Sequence, residues 1–423
     1  MITIATIFLF IVYLFFCTWL LTKSGFIKRS GLSTKMVVVL FILKVGVGCL
    51  SGAIVHQSMK ADTWGFHRAA LKEYLLFKQQ PTAYCTNLFT TGYSYGYAGF
   101  LQTKNSYWND LKDNLIVKFI SVLHVFSGGR YYVNVILYNF LLFFGFVALY
   151  RMYKMVYPTS KNVLIIGCFL LPSCIFFTST IHKEGVVAAA LGMVVYNVYQ
   201  LLYSYTKVIA RLAMVLAGLL LLLFLRNYVL LALLPALIVW YCLAKSKANK
   251  WIVSLLVYML LLLCFFNVQR VFNYINLVGF FVQKQADFLA LDKGNTTLPV
   301  TQLSGTATSF IATLPQAINH SICRPYITDY TLSVQLIPFA IELIGYQLLL
   351  LLCICFYKKS KSISATPFIL VIFGCTVLII IGYIVPAVGE IVRYRSLYLP
   401  FIIIPILQAI NWQKLKEKFY IKK

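Results

Sequence analysis

Acidic side chains are scarce in this chain. Only 11 of its 423 residues are Asp or Glu, against 37 Lys and Arg, and charged residues of both signs make up 11%. A soluble domain carries about a quarter of its residues as charges, so this composition excludes an ordinary soluble fold. The sequence also has no P-loop, no dinucleotide-binding glycine fingerprint, no zinc-ligand spacing and no nucleophile elbow. Internal repeats and low-complexity linkers are missing, and no small-residue cleavage site follows the first apolar segment, so no cleaved signal peptide is expected. The 11 cysteines do not form a framework, because most lie in apolar stretches where a thiol behaves as a small apolar side chain. Cys85 and Cys323 alone fall in polar loops. They can bridge in an oxidising compartment or remain two free thiols, and the second reading is preferred.

What is present is apolar sequence: 61% of residues are hydrophobic and the mean hydropathy is +0.83. About 20 apolar residues in a helix cross the ~30 Å hydrocarbon core. Segments 3–22, 36–55, 131–150, 162–181, 185–205, 209–225, 228–244, 251–267, 334–356, 366–385 and 396–411 meet that test. Two of them, 209–225 and 228–244, are separated only by Arg226-Asn227 and read as a tight hairpin. The fold class expected is therefore an all-α polytopic membrane protein of about 11 spans, forming one membrane domain over residues 1–423.

The cations alternate along this order. Lys23, Lys28, Arg29 and Lys35 fall in one loop; Arg151, Lys154 and Lys161, Lys207 and Arg211, Lys245, Lys247 and Lys250, and Lys358, Lys359 and Lys361 fall in later alternate loops. The lysine-rich tail from Lys414 follows, with Glu417 as the only acid in the whole set. The positive-inside rule then puts the N-terminus outside and the C-terminus in the cytoplasm. Segments 56–130 and 268–333 become two long outer loops. Within the first, 113–128 reads as an interfacial or re-entrant helix, and Trp64, Leu71, Tyr74, Leu75 and Phe77 recur at helical spacing, as in an amphipathic helix on the membrane surface. Cations dispersed in this way are topology signals and lipid contacts, and they do not form the single basic surface of a nucleic-acid binder.

Nine of the eleven acids fall on the expected outer side, where topology does not require them. Asp62 follows the second span in Asp62-Thr63-Trp64-Gly65-Phe66-His67-Arg68, where it can act as a general base at the height of a lipid phosphate or cap the following helix. A tight turn, Ile181-His182-Lys183-Glu184, offers Lys183 for phosphate and Glu184 for orienting a sugar hydroxyl; a polar hairpin capped by Glu184 is the plainer reading. Arg226, Arg324, Arg393 and Arg395 lie at separate helix ends. Singly each can anchor headgroups; together they suit bidentate phosphate binding. His67 and Glu390 are further candidates for orienting substrate. Tyr93, Tyr95 and Tyr97, alternating with Gly92 and Gly96, suit stacking on sugar rings or an interfacial aromatic belt. Lys44 and Glu342 are the clear intramembrane charges and are expected to pair. Sequons at Asn295 and Asn319 matter only in a eukaryotic secretory membrane.

A long first outer loop with Asp62 near its start resembles the GT-C superfamily of membrane glycosyltransferases. So do the Pro172 to Glu184 turn, Arg226 at a short hairpin, and Arg393-Tyr394-Arg395 before a last helix with Pro400. More loosely, the pattern resembles bacterial polysaccharide polymerases of the Wzy or EpsG type. The resemblance covers most of the chain as architecture and scattered residues, and here one span precedes the helix with which that family usually begins. It implies a bacterial cytoplasmic-membrane protein that takes a sugar from a polyprenyl-phosphate-linked donor. Asp62 would deprotonate a glycan or lipid acceptor, and Lys183, Arg226, Arg324, Arg393 and Arg395 would hold the leaving phosphate. With no second acid beside Asp62, neither metal nor other cofactor is expected. A flippase or transporter of lipid-linked glycans, and a non-catalytic subunit of a glycan assembly complex, are the competing classes.

The topology is directly measurable. In a cysteine-free background, a cysteine at Asp292 is expected to react with an impermeant thiol reagent in intact cells, and a cysteine at Lys359 only after permeabilisation. The reverse pattern would overturn the orientation.

Overall fold

The computed structural model describes residues 4–56, 62–87, 107–273, 276–291, 294–358 and 364–420, with side chains from 114 onward in the third segment and to 418 in the last. Those residues are helical throughout and contain no β-strand, only two isolated bridges. The Gly92–Tyr97 stretch and Asp292 lie outside them, as do the side chains of Asp110 and Asp113. The chain is an all-α multi-pass membrane protein. Among the described residues nine helices are long and apolar enough to cross a bilayer.

The helices used below are α1 (Ile4–Lys23), α2 (Thr34–Ile54), α3 (Asp62–Gln79), α4 (Tyr107–Ser127), α5 (Tyr131–Val156), α6 (Lys161–Leu170), α7 (Pro172–Ser179), α8 (Lys183–Tyr203) and α9 (Val208–Leu225). They continue as α10 (Asn227–Lys245), α11 (Lys250–Val271), α12 (Leu277–Leu289), α13 (Ala307–Ile318), α14 (Ile337–Cys355), α15 (Ala365–Ile384), α16 (Val388–Ser396) and α17 (Leu399–Ala409). Two expected spans differ from the sequence reading. Segment 162–181 is broken: α6 ends in a π-turn, Pro172 cannot continue its hydrogen-bond ladder, and α7 leaves at 47°. Segment 396–411 contributes only the 11-residue α17, which at 1.5 Å per residue covers about half of a ~30 Å core. At Arg226 two helices are separated by that single residue.

The chain divides into two compact units, Met1–Tyr153 with Cys174–Asn227, and Lys154–Ser173 with Tyr228–Lys423. In the first unit α5 and α8 form the buried centre. Their backbones meet at Gly145 and Gly192, where an added Cβ would collide with the facing main chain; small residues permit this approach where no hydrophobic drive separates helix from lipid. The α3 and α4 helices pack together through a Glu73–Lys118 ion pair, and Tyr84, in the short helix Pro81–Thr86 after α3, hydrogen-bonds Ser121 of α4 at 2.8 Å. In the second unit α15 is central and packs on α13 and α17. Phe265, Phe281, Phe310 and Tyr383 form an aromatic cluster beside it. By contrast α1 and α11 leave Phe8, Ile11, Phe15, Leu255, Leu260 and Leu263 exposed, as lipid-facing helices do. All eleven cysteines are free thiols.

The α3–α4 contact includes a pair of neutral histidines. His67 and His124 are both buried, with ring centroids 4.9 Å apart, and His67 also packs edge-on to Trp64 and Tyr131. Asn134 donates to His124 Nδ1 at 2.7 Å, which puts the ring proton on Nε2. Burial pushes both imidazoles down from an ordinary 6.5 to about 4; for His67 the nearby His124 and Arg68 add to the effect. The unfolded chain therefore takes up these protons below pH 6.5 and the folded chain only near pH 4. The stability they contribute is complete above pH 6.5 and falls as the pH drops from 6.5 towards 4. Thermal unfolding in detergent is expected to show this loss, and the His67→Phe/His124→Gln double variant to flatten the slope. An unchanged slope in the variant would remove the histidines as its cause.

Candidate functional site

The residues singled out from sequence fall into two clusters, one in each unit. In the first, Asp62 opens α3, where the positive end of the helix dipole favours a carboxylate. Its side chain is half-exposed, at 50%, and its Oδ2 lies 3.2 Å from His182 Nε2. The other ring nitrogen of His182 lies against Glu184 Oε2. Glu184 is 1% exposed and takes a second cation, Arg226, on its Oε1. The four side chains form an unbroken series from a surface carboxylate through an imidazole to a buried carboxylate and a guanidinium. Both contacts of His182 are attractive together only when both nitrogens carry hydrogen, which makes the ring a cation. Two carboxylates then face two cations, and the buried Glu184 is compensated.

Local structure explains why these groups meet. His182 is the residue before α8 and has extended backbone (φ −158°, ψ 165°), so it stands off the helix on which Glu184 is the second residue. Arg226 is likewise the one non-helical residue between α9 and α10. The phenol of Tyr138 donates to the His182 carbonyl. Lys183 extends its ammonium over the Phe66 ring at 5.4 Å, next to the same cluster. His67, also a candidate, is buried between α3, α4 and α5 among Trp64, His124 and Tyr131. His182 was not assigned a role from sequence. Its one available signal was its position two residues before Glu184 in a turn between spans.

The second cluster holds the remaining candidates. Arg324 Nη1 donates to Asp329 Oδ1 at 2.9 Å and its guanidinium stacks 5.0 Å over Tyr326. Arg393 lies 3.7 Å from Glu390 and donates to the Tyr394 phenol at 3.3 Å, while that phenol donates to Glu390 at 3.2 Å. Arg395 is buried and donates to the carbonyls of Ser321 (3.1 Å) and Arg324 (2.6 Å), fastening the chain that carries Arg324. Burial pushes the Arg395 guanidinium down to about 10, opposed by Glu342. Arg393 and Glu390 are the more open pair, with a longer contact than either Arg324–Asp329 or Arg226–Glu184.

Lys44 and Glu342, which the sequence suggested as a pair, lie in different units. Each has partners in its own unit. Lys44 Nζ donates to Thr178 Oγ1 at 3.0 Å and Ser179 Oγ at 3.2 Å. Glu342 accepts from the Ser173 amide at 3.1 Å and its hydroxyl at 3.0 Å, and from the Tyr346 phenol. Among the described residues no group of three His, Cys, Asp or Glu side chains is placed to hold a metal ion. Comparison with protein-family models, with curated proteins and with solved structures finds no match.

The Glu184–Arg226 pair makes a clean energetic test. Arg226→Met removes one cation from the buried Glu184 carboxylate and leaves His182 beside it. Breaking a buried pair by removing one partner is destabilising by about 3–5 kcal/mol, and the remaining imidazolium holds the loss near the lower figure. A lower unfolding temperature in detergent is expected, and Glu184→Gln added to Arg226→Met is expected to restore most of it. Equal stability of the single variant and wild type would show that the pair contributes nothing.

Proposed function

We propose that this protein transfers a sugar or oligosaccharide from a polyprenyl-phosphate-linked donor to a glycan or lipid acceptor at the outer face of a membrane, most simply a bacterial cytoplasmic membrane. The observation that carries the reading is the half-exposed Asp62 carboxylate held by His182, which is backed by buried Glu184 and Arg226. A general base needs an ionised, aimed carboxylate open to substrate, and the imidazolium keeps Asp62 both ionised and oriented. Asp62 takes the proton of the acceptor hydroxyl as that oxygen bonds to the anomeric carbon. The anomeric bond to the donor's phosphate oxygen breaks, and the phosphate leaves as an anion stabilised by cations. Lys183, in the same unit as Asp62, is assigned to that anion, and Arg324 and Arg393 are phosphate-binding candidates within the other unit. Arg226 and Arg395 hold Glu184 and the Arg324 backbone and act through them. His67 is left out because its ring is buried in helix packing. The resemblance to GT-C glycosyltransferases and Wzy-type polymerases, the outer location of the N-terminus and the outer loops 56–130 and 268–333 belong to the same proposal.

One observation favours a second reading, transport of a lipid-linked glycan. The broken span α6–α7, with Glu342 at its break and Lys44 at its finish, has the form of the discontinuous helices found in transporters. The two readings separate in one assay. Purified protein in vesicles is given polyprenyl-phosphate-linked sugar and acceptor, and both product glycan and released lipid phosphate are followed. Transfer is expected, and Asp62→Asn is expected to reduce it by about two to four orders of magnitude, the range for loss of a general base, at unchanged membrane level. Movement of intact donor between leaflets without product would favour transport. Retention of more than half the activity by Asp62→Asn would remove Asp62 as the base.

A further inference from the structure

Lys44 occupies the middle of α2, ten residues from either end, and is 3% exposed. A cation at that depth is expensive unless it is well compensated, and no carboxylate faces it among the described residues. Its ammonium instead donates to the Thr178 and Ser179 hydroxyls and lies 4.1 Å over the Phe146 ring. Thr178 and Ser179 are the last two residues of α7, so the cation sits at the negative end of that helix dipole.

From Ser179 the chain runs non-helically through Thr180 and Ile181 to His182. Two spans hold this link. Lys44, Gly48 and Ser51 lie on one face of α2 at helical spacing: Lys44 takes the end of α7, Gly48 has no side chain where the Ser179 carbonyl passes, and Ser51 accepts from Thr180 Oγ1 at 2.7 Å. From α5, Asn139 donates to the Ser179 carbonyl at 2.8 Å and Tyr138 to the His182 carbonyl. Lys44 is the charged member of this clamp. We infer that Lys44 is a positioning residue for the His182–Asp62 contact, fixing the end of α7 from which the link delivers His182 to the surface carboxylate.

The second proton on His182 serves as a probe of that contact, because the two ring nitrogens face carboxylate oxygens of Asp62 and Glu184. The other charged or titratable groups around it are Lys183, Arg226 and Tyr138. The chain has five histidines, and ring ¹⁵N resonances of histidine-labelled protein in lipid distinguish neutral from doubly protonated rings, with His67 and His124 as internal controls for the fold. In Lys44→Met the pH at which His182 loses its second proton is expected to fall by at least about one unit, a tenfold weaker hold on the proton, while His67 and His124 keep their shifts. The Thr178→Val/Ser179→Ala variant keeps the cation, removes both acceptors, and is expected to do the same. An unmoved His182 in both variants overturns the inference. So does a parallel change at His67 and His124, which would make Lys44 a general stabiliser. The expected catalytic consequence, a lower kcat at unchanged KM, rests on the transfer reading; the resonance test does not.

Discussion

An eight-residue helix, α7, meets a charged side chain at each end, and the first candidate site depends on the buried Lys44 at its finish. The Glu342 carboxylate accepts from the Ser173 amide at the helix start, and the Lys44 ammonium donates to Thr178 and Ser179 at its finish. Each charge has the sign that the adjoining end of the helix dipole favours. In hydrocarbon no water is available for backbone groups freed by a break, so an interrupted span persists only where protein groups take them over. The two intramembrane charges were expected to neutralise one another. Within its own unit each has another partner, Glu342 beside the break at Ser173 and Lys44 at the finish of α7.

The scarcity of acids shapes both clusters. With 37 cationic side chains and 11 acidic ones, a carboxylate readily finds a cation, while most cations have no carboxylate to meet. Glu73, Glu184, Asp329 and Glu390 each face a lysine or arginine. An arginine whose donors are taken by a buried carboxylate has fewer left for phosphate, which ranks the four candidates. Arg226 is bound to a carboxylate that is 1% exposed, and Arg395 to two main-chain carbonyls. Arg393 shares a more open carboxylate at 3.7 Å, so an entering anion displaces less there.

Much of the helical plan was legible from apolar length and cation spacing, because a membrane imposes both. Asp62, Glu184 and Arg226 were also visible, since charges at span ends have few ordinary explanations. Their assembly through His182 was not visible. A histidine beside Lys183 and Glu184 reads as part of a solvated hairpin, and nothing in hydropathy shows that the chain enters that turn unwound. Pro172 did mark the break, yet a mean over 20 residues averages it away. The short α17 escaped for the same reason, with Pro400 and Pro405 inside a strongly apolar run.

The unwound link between α7 and α8 decides what the turn can do. On a continuous helix, residues two apart face different directions and do not touch. His182 and Glu184 are two apart, and their side chains are in contact. That contact requires His182 to have left helical geometry, as its φ of −158° and ψ of 165° record. A helix continued from α7 into α8 would turn the imidazole away from Glu184, and Asp62 would lose the cation beside it. Discontinuous helices are a device of transporters, but there the freed backbone groups face a ligand near the midplane. Here the hydroxyl and carbonyl groups at the α7–α8 link are taken by Lys44, Ser51 and Asn139. What the unwound link presents beyond those contacts is an imidazole to a half-exposed carboxylate.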